Sequence, residues 1–346
     1  MSGSVESINA YLNAYHADGL RILEEGQPAD DVRLEATCDL VYALALTHQL
    51  DRVSDKGANA FLAHAQKFVW AGKLNMPAAS ATPINVHLSA YVLGSLRLLA
   101  GAGRRFDAPI FNAAAVHVGE IIDETLLPRW PRAWGHHSWR VSHWVGGSAS
   151  ILQSLWQLSP EIAAEQGLPT VDAVLSRADT LINEATGMLK CYKNETIHRL
   201  FKTLYRLRHD PLAGEVGGIV HLHWVNYGEG RLPYKGAAEL FQRAQKLYWN
   251  EPFMEATPYC LDFDIVQIVR TSASAEDINS RTKERAACFI EDIDAFFSNR
   301  LDGNYALHKL PGAIATQHEA ALILGLDKFG RSEMEPIDII KRAGWI

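Results

Sequence analysis

The chain has 346 residues, 48% of them hydrophobic and 21% charged, with a formal net charge of −7. This composition suits a folded chain with a large core and excludes a disordered one, and its scattered lysines and arginines lack the basic stripe of a nucleic-acid binder, so no nucleic-acid partner is expected. No segment approaches the roughly eighteen uninterrupted apolar residues of a membrane span, and the opening MSGSVESINAYLNAYHADG has neither a basic start nor an apolar run, so a cytoplasmic protein with no membrane partner is expected.

Apolar residues recur at three- and four-residue steps, as in Leu88, Val92, Leu96 and Leu99 and again in Ile151, Leu155 and Leu158, which is the helical period. The spacing predicts about thirteen helices, roughly over 5–25, 32–50, 54–71, 84–101, 107–127, 139–158, 170–185, 194–208, 217–226, 234–249, 259–273, 276–298 and 312–325. Prolines such as Pro83, Pro128, Pro160, Pro211, Pro258 and Pro311 mark the breaks. GGIVHLHWV is the best strand candidate and is too isolated to build a sheet. No Pro-rich or Gly/Ser-rich linker divides the chain, so residues 1–346 read as a single all-α domain. Cys38, Cys191, Cys260 and Cys288 stand far apart without a CxxC pair, as buried thiols do, rather than as a zinc ribbon or a redox dithiol.

Several helices open with polar or aromatic residues and then turn small and apolar. These are VHLSAYVLGSL near His87, VSHWVGGSASIL near His143, NETIHRLFKTL near His198, LDFDIVQIV near Asp264 and KLPGAIATQHEAAL near Ala315. The anchors lie about 50 to 65 residues apart, the length of a helical hairpin with its connections, which fits a solenoid or a closed toroid. Small residues at Gly94, Gly146, Gly147, Ser148 and Gly312 let inner helices pack closely and favour closure into about six hairpins. In this alternation, with His, Trp and Asp near the starts of the inner helices, most of the chain resembles the (α/α)6-toroid carbohydrate-active enzymes, among them unsaturated glucuronyl hydrolases, sugar 2-epimerases and several glycosidases. The resemblance implies a central funnel where loops and inner-helix starts bind sugar.

Candidate chemistry starts at TPYCLDFDIVQIVRTSA. Residues two apart on a helix point about 200° apart, so Asp262 and Asp264 do not share a pocket. Asp262 reads as an N-cap at the funnel rim, in reach of substrate, and Asp264, on a stripe with Gln267 and Thr271, as the lumen-facing acid. Both also fit plain stabilisation of a helix start. Glycoside hydrolysis needs a second carboxylate, and Glu229, between Gly228 and Gly230, is the candidate, with Glu319 in reserve; a loop acid paired with Arg231 is the competing reading.

GHHSWRVSHWVGG offers flat aromatic faces and hydrogen-bonding groups in Trp134, His137, Trp139, Arg140, His143 and Trp144, the mix that grips a sugar ring, with His143 as a proton-transfer group. HLHWVNYGEGR repeats it with His221, His223, Trp224, Tyr227 and Arg231, and YALHKLPGAIATQHE adds His308, Lys309 and His318, where the last inner helix would lie beside the first. Buried tryptophans and hydrogen-bonded histidines at helix ends are the competing reading. His137 and His143 are six apart and HExxH is absent, so no metal or other cofactor is expected.

These residues point to a carbohydrate-active enzyme, a glycoside hydrolase using an Asp/Glu pair on a small-molecule or oligosaccharide substrate. A polysaccharide lyase or sugar epimerase on the same fold would lean on His or Tyr instead. A terpenoid cyclase would explain LDFDI, which looks like a DxDD motif lacking its last Asp, although DDxxD is absent. A helical scaffold would explain the hairpin period but not the clustered Trp and His.

Overall fold

The computed structural model describes residues 4–13, 31–69, 84–106, 138–189, 211–250, 252–274, 276–302 and 304–346. The helices are α1 (Ser4–Asn13), α2 (Asp31–Leu46), α3 (Asp55–Val69), α4 (Ile84–Gly101), α5 (Ser138–Leu158), α6 (Pro160–Glu165) and α7 (Val171–Ala178) in the first part of the chain. After them come α8 (Pro211–Gly217), α9 (Val220–Gly228), α10 (Ala237–Tyr248), α11 (Cys260–Ser272), α12 (Ser280–Arg300), α13 (Leu310–Leu324) and α14 (Ile339–Ala343). The only paired strands among the described residues are the two-residue β1 (Ile182–Asn183) and β2 (Met188–Leu189), joined antiparallel with Ile182 opposite Leu189. The protein is all-α, and no helix among the described residues is long and apolar enough to cross a membrane.

GGIVHLHWV, the best strand candidate, forms α9 instead, because its buried side chains come from every position rather than every second one. The helix expected over 170–185 stops at Ala178 and gives way to a 3₁₀ turn and β1. The helices expected over 107–127 and 194–208 lie outside the described residues.

Two kinds of helix alternate. In α10 the buried residues Ala237, Leu240, Phe241, Ala244, Leu247 and Tyr248 follow the three- and four-residue step, so one face meets the core and the other water. In α13 every residue from Leu310 to Ala321 is buried, which requires neighbours on all sides. Helices of this inner kind touch in a fixed order: α2 packs on α4, α4 on α5, α5 on α9, α8 and α9 on α11, α11 on α13, and α13 on α2 again. Glycines set two of these approaches. A Cβ at Gly146 would lie 2.7 Å from the carbonyl carbon of His221, and one at Gly312 would lie 2.6 Å from Cα of Cys260. At those points α5 meets α9, and α13 meets α11, backbone to backbone.

The segment from Ile337 to Ile346 runs among these helices and bonds to each of them. Tyr42 of α2 donates its hydroxyl to the carbonyl of Trp345, Arg97 of α4 donates to that of Lys341 (3.2 Å), and Ser150 of α5 donates to that of Gly344 (3.2 Å). Trp345 packs against His221 in a tilted contact and against Trp224 edge to face, both of α9, with ring centroids 4.7 and 5.5 Å away. Arg270 of α11 grips Asp338 (2.9 Å), and His318 of α13 accepts the backbone N–H of Ile337 (2.9 Å). Trp345 is completely buried.

Candidate active site

The first turns of α4, α9, α11 and α13 meet around a cavity of about 170 Å³. His87 and Tyr91 enter it from α4, His221 and Trp224 from α9, and Cys260 and Asp264 from α11, while His308 stands just before α13 and Ile346 closes one side.

Asp264 is 6% exposed, and among the described residues its Oδ1 has no hydrogen-bond partner. Burial, with the nearby charge of Asp262, pushes its carboxyl well above the usual range. Trp224 Nε1 also lacks a partner. An acid and an indole N–H, neither satisfied among the described residues, therefore line the same small space, an arrangement a polar ligand would complete.

Asp262 faces away, as the two-residue spacing requires. The structure corrects its expected N-cap role: Tyr259 is the N-cap, and Asp262 is three residues on, its oxygens accepting the amides of Met254 (2.8 Å) and Tyr259 (3.0 Å) in a capping box. Burial pushes its pKa up to about 7 against the pull of those two N–H groups.

The other side of the cavity contains a charged cluster. Tyr91 donates its hydroxyl to Asp39 (2.7 Å), and His308 Nδ1 lies 3.0 Å from the same Oδ1. Burial opposes a charge on His308, but the hydrogen bond to Asp39 and the charges of Asp39 and Glu35 outweigh it and lift its pKa to about 9. His308 is a cation at neutral pH. Glu35, His87 and His308 bring side-chain atoms within 4.8 Å of one another. His221 is driven to its neutral form by burial and by His87, with Ser142 Oγ 2.9 Å from its Nδ1.

Of the expected site residues, the structure brings Asp264, His221, Trp224 and His308 to one cavity. It does not bring Glu229 there. The nine residues of α9 carry the chain from the cavity to the opposite end of the helix, where Glu229 accepts from Gln153 Nε2 (2.6 Å). In a helix, His223 faces away from His221 and lies between Tyr234 (3.1 Å) and Thr271 (2.8 Å), with burial lowering its pKa to about 3. Arg231 is held by Asn226, Asp172 and Asp179. Tyr227 joins Arg270 and Asp338, and the reserve acid Glu319 pairs with Arg270. His318 bridges Leu46 and Ile337. Lys309 binds Glu255 and Thr257 outside the cavity (3.3 and 3.2 Å). His137 and the side chains of Trp139, Arg140, His143 and Trp144 lie outside the described residues, as does Trp134.

Sequence reasoning passed over Glu35, Asp39, Tyr91 and Trp345, and named His87 only as the anchor of a helix start. Glu35 and Asp39 carry a readable signal, because they stand four apart at the entry to an apolar run and so share a helix face.

Comparison of the chain with protein-family models, with curated proteins and with solved structures returns no match.

Proposed function

We propose that the chain is a carbohydrate-active hydrolase built as a single (α/α)6 toroid, with Asp264 as its proton donor. The cyclic order of inner-helix contacts supports the toroid, and so does the assembly of the cavity from inner-helix starts. The observation that carries the activity is the buried carboxyl of Asp264, its pKa raised by burial, in one cavity with Trp224, with its Oδ1 and the indole N–H both unpartnered among the described residues. Tyr91 and Trp224 supply flat faces for a sugar ring, and His87, His221 and His308 supply hydrogen bonds to its hydroxyls.

In this reading Asp264 gives its proton to the glycosidic oxygen as the bond to the anomeric carbon breaks. A carboxylate takes a proton from the water that attacks that carbon. Glu35 fills the second role in place of Glu229, because it stands beside His87 and His308 at the cavity's charged side. The unpaired thiols of Cys38, Cys260 and Cys288 suit a reducing, cytoplasmic setting.

One observation favours a second reading. Among the described residues Asp264 is the only carboxyl that lines the cavity, and it sits among Trp224, Leu261, Pro311 and Ile346. A lone acid with a raised pKa in such walls suits proton transfer to an alkene carbon, the opening step of terpenoid cyclisation.

Thermal melts with a panel of monosaccharides and isoprenoids separate the two, because a ligand that prefers the folded state raises the melting temperature. Stabilisation by a sugar, with glycoside turnover lost in both Asp264→Asn and Glu35→Gln, is the expected result. Stabilisation by isoprenoids alone would replace the first reading with the second, and a response to neither class would sink both.

A further inference from the structure

A larger cavity, about 590 Å³, opens between the C-terminal ends of α2 and α4 and the segment that begins at Ile337. It lies at the opposite end of the inner helices from Asp264 and takes no part in the chemistry above. Arg97, Arg104 and Arg342 line it against a single acid, Asp51. Helix C-termini carry a partial negative charge that accounts for some of this imbalance, but only about half a charge each.

Arg97 shows the deficit most clearly. It is 7% exposed, and among the described residues its guanidinium meets only neutral oxygens, with NH1 donating to Gln153 Oε1 (2.9 Å) and NH2 to the carbonyl of Lys341 (3.2 Å). Its Nε–H is buried without a partner, and among the described residues no carboxylate lies within ion-pair reach. Burial lowers its pKa to about 10 despite the more distant Tyr42 and Glu229, which marks a desolvated charge short of a counter-charge. Arg104 repeats the pattern: among the described residues its Nε is buried and unpartnered, and its ion pair is a 3.9 Å approach to Asp55, whose side chain is 57% exposed.

The geometry points to a binding site for a phosphate-bearing small molecule, its phosphate gripped by Arg97, Arg104 and Arg342. Three guanidinium groups line the cavity with one lining carboxylate, and with Asp55 only at a long 3.9 Å from Arg104 the site remains net positive, as suits a phosphate monoester at about −1.5 to −2. Guanidinium forks fit phosphate oxygens two at a time. The volume falls in the range of small-molecule sites, about 300 to 1,000 Å³, and leaves room for an organic body beyond the phosphate.

The test uses the intact protein and requires no activity. Its melting temperature is followed against inorganic phosphate, glucose 6-phosphate and citrate, each matched by sodium chloride at equal ionic strength. Phosphate and the sugar phosphate should stabilise saturably above the salt baseline, with the sugar phosphate the tighter of the two. Arg104→Gln and Arg342→Gln, partly exposed positions whose loss leaves the unliganded melt nearly unchanged, should each weaken binding about tenfold. Arg97→Gln should weaken it further, but this substitution also touches Gln153 and Lys341, so the Arg104 and Arg342 variants decide. A response that follows ionic strength alone, persists in the Arg104/Arg342 double variant, or is as strong for citrate as for phosphate overturns the proposal. Asp264→Asn should leave the response intact.

Discussion

The indole N–H of Trp345 donates to Nδ1 of His87 across 3.0 Å. An indole can only donate, so Nδ1 accepts and the proton of neutral His87 sits on Nε2. Glu35, His87 and His308 come close enough to surround a cation, but a metal needs an unprotonated nitrogen, and this tautomer presents an N–H instead. Wild-type protein should therefore bind zinc weakly at this cluster. Trp345→Phe, which frees His87 to exchange tautomers, should tighten zinc binding by about tenfold or more in a calorimetric titration at pH 7.5. Equal affinity in the two proteins, or stoichiometric zinc in the purified wild type, would show that the indole does not control the cluster.

Asp264→Asn and Asp262→Asn should separate catalysis from stability. Burial raises the folded-state pKa of Asp264, so the folded form binds this proton more tightly, and the carboxyl lowers stability as pH rises above the unfolded value of about 4. Asp264→Asn should lower turnover by at least 10² to 10⁴ and melt higher than wild type, by a margin that widens from pH 4 to pH 8. In Asp262→Asn a single acceptor oxygen replaces two that serve backbone amides, so about 1–3 kcal/mol of stability should be lost, with turnover per folded molecule within a few-fold of wild type. A flat Asp264 margin, or an Asp262 loss below about 0.5 kcal/mol, would contradict these assignments.

His308 should give the protein an alkaline weakness. Its folded pKa of about 9 lies above the unfolded value of about 6.5, so its ion pair with Asp39 stabilises fully below pH 6.5 and is lost as pH rises through about 9. Melts from pH 6 to pH 10 should show this decline in wild type and much less of it in Asp39→Asn. Histidine NMR should find the His308 pKa lowered in that variant. An unchanged pKa would mean that Asp39 is not its partner in solution.

Glu319 is fully buried and paired with Arg270, which also holds Asp338. Glu319→Gln leaves a buried guanidinium short of a charge, so urea denaturation should register a loss of about 3–5 kcal/mol. A loss near that of an exposed ion pair, below about 1 kcal/mol, would show that water reaches this site.

The legible parts of the site are those set by helix geometry alone. The opposed directions of Asp262 and Asp264 follow from residue spacing, and the close approaches at Gly146 and Gly312 follow from side-chain size. Glu229 misled because the flanking glycines made it look presented, whereas its distance from the cavity depends on the direction of α9. His221 and His223 parted once the segment proved helical. Glu35 and Asp39 were visible as a pair four apart, but such pairs are as common on solvated faces, and only the packing of α13 on α2 brings His308 to them. Nothing in AGWI distinguishes a surface segment from one buried among six helices, because that burial is decided by partners hundreds of residues away.

That separation also orders events during synthesis. Tyr42 and His87 take their partner from Trp345, 303 and 258 residues later. At about 5 to 20 residues per second, the ribosome needs roughly 13 to 50 s to travel from His87 to Trp345. Throughout that interval α2 and α4 exist without the indole, and Arg97 without the carbonyl of Lys341. The first helices to be made are thus among the last to reach their final packing, and a nascent chain stalled anywhere before Lys341 presents the apolar faces of α2 and α4 to whatever chaperone is nearest.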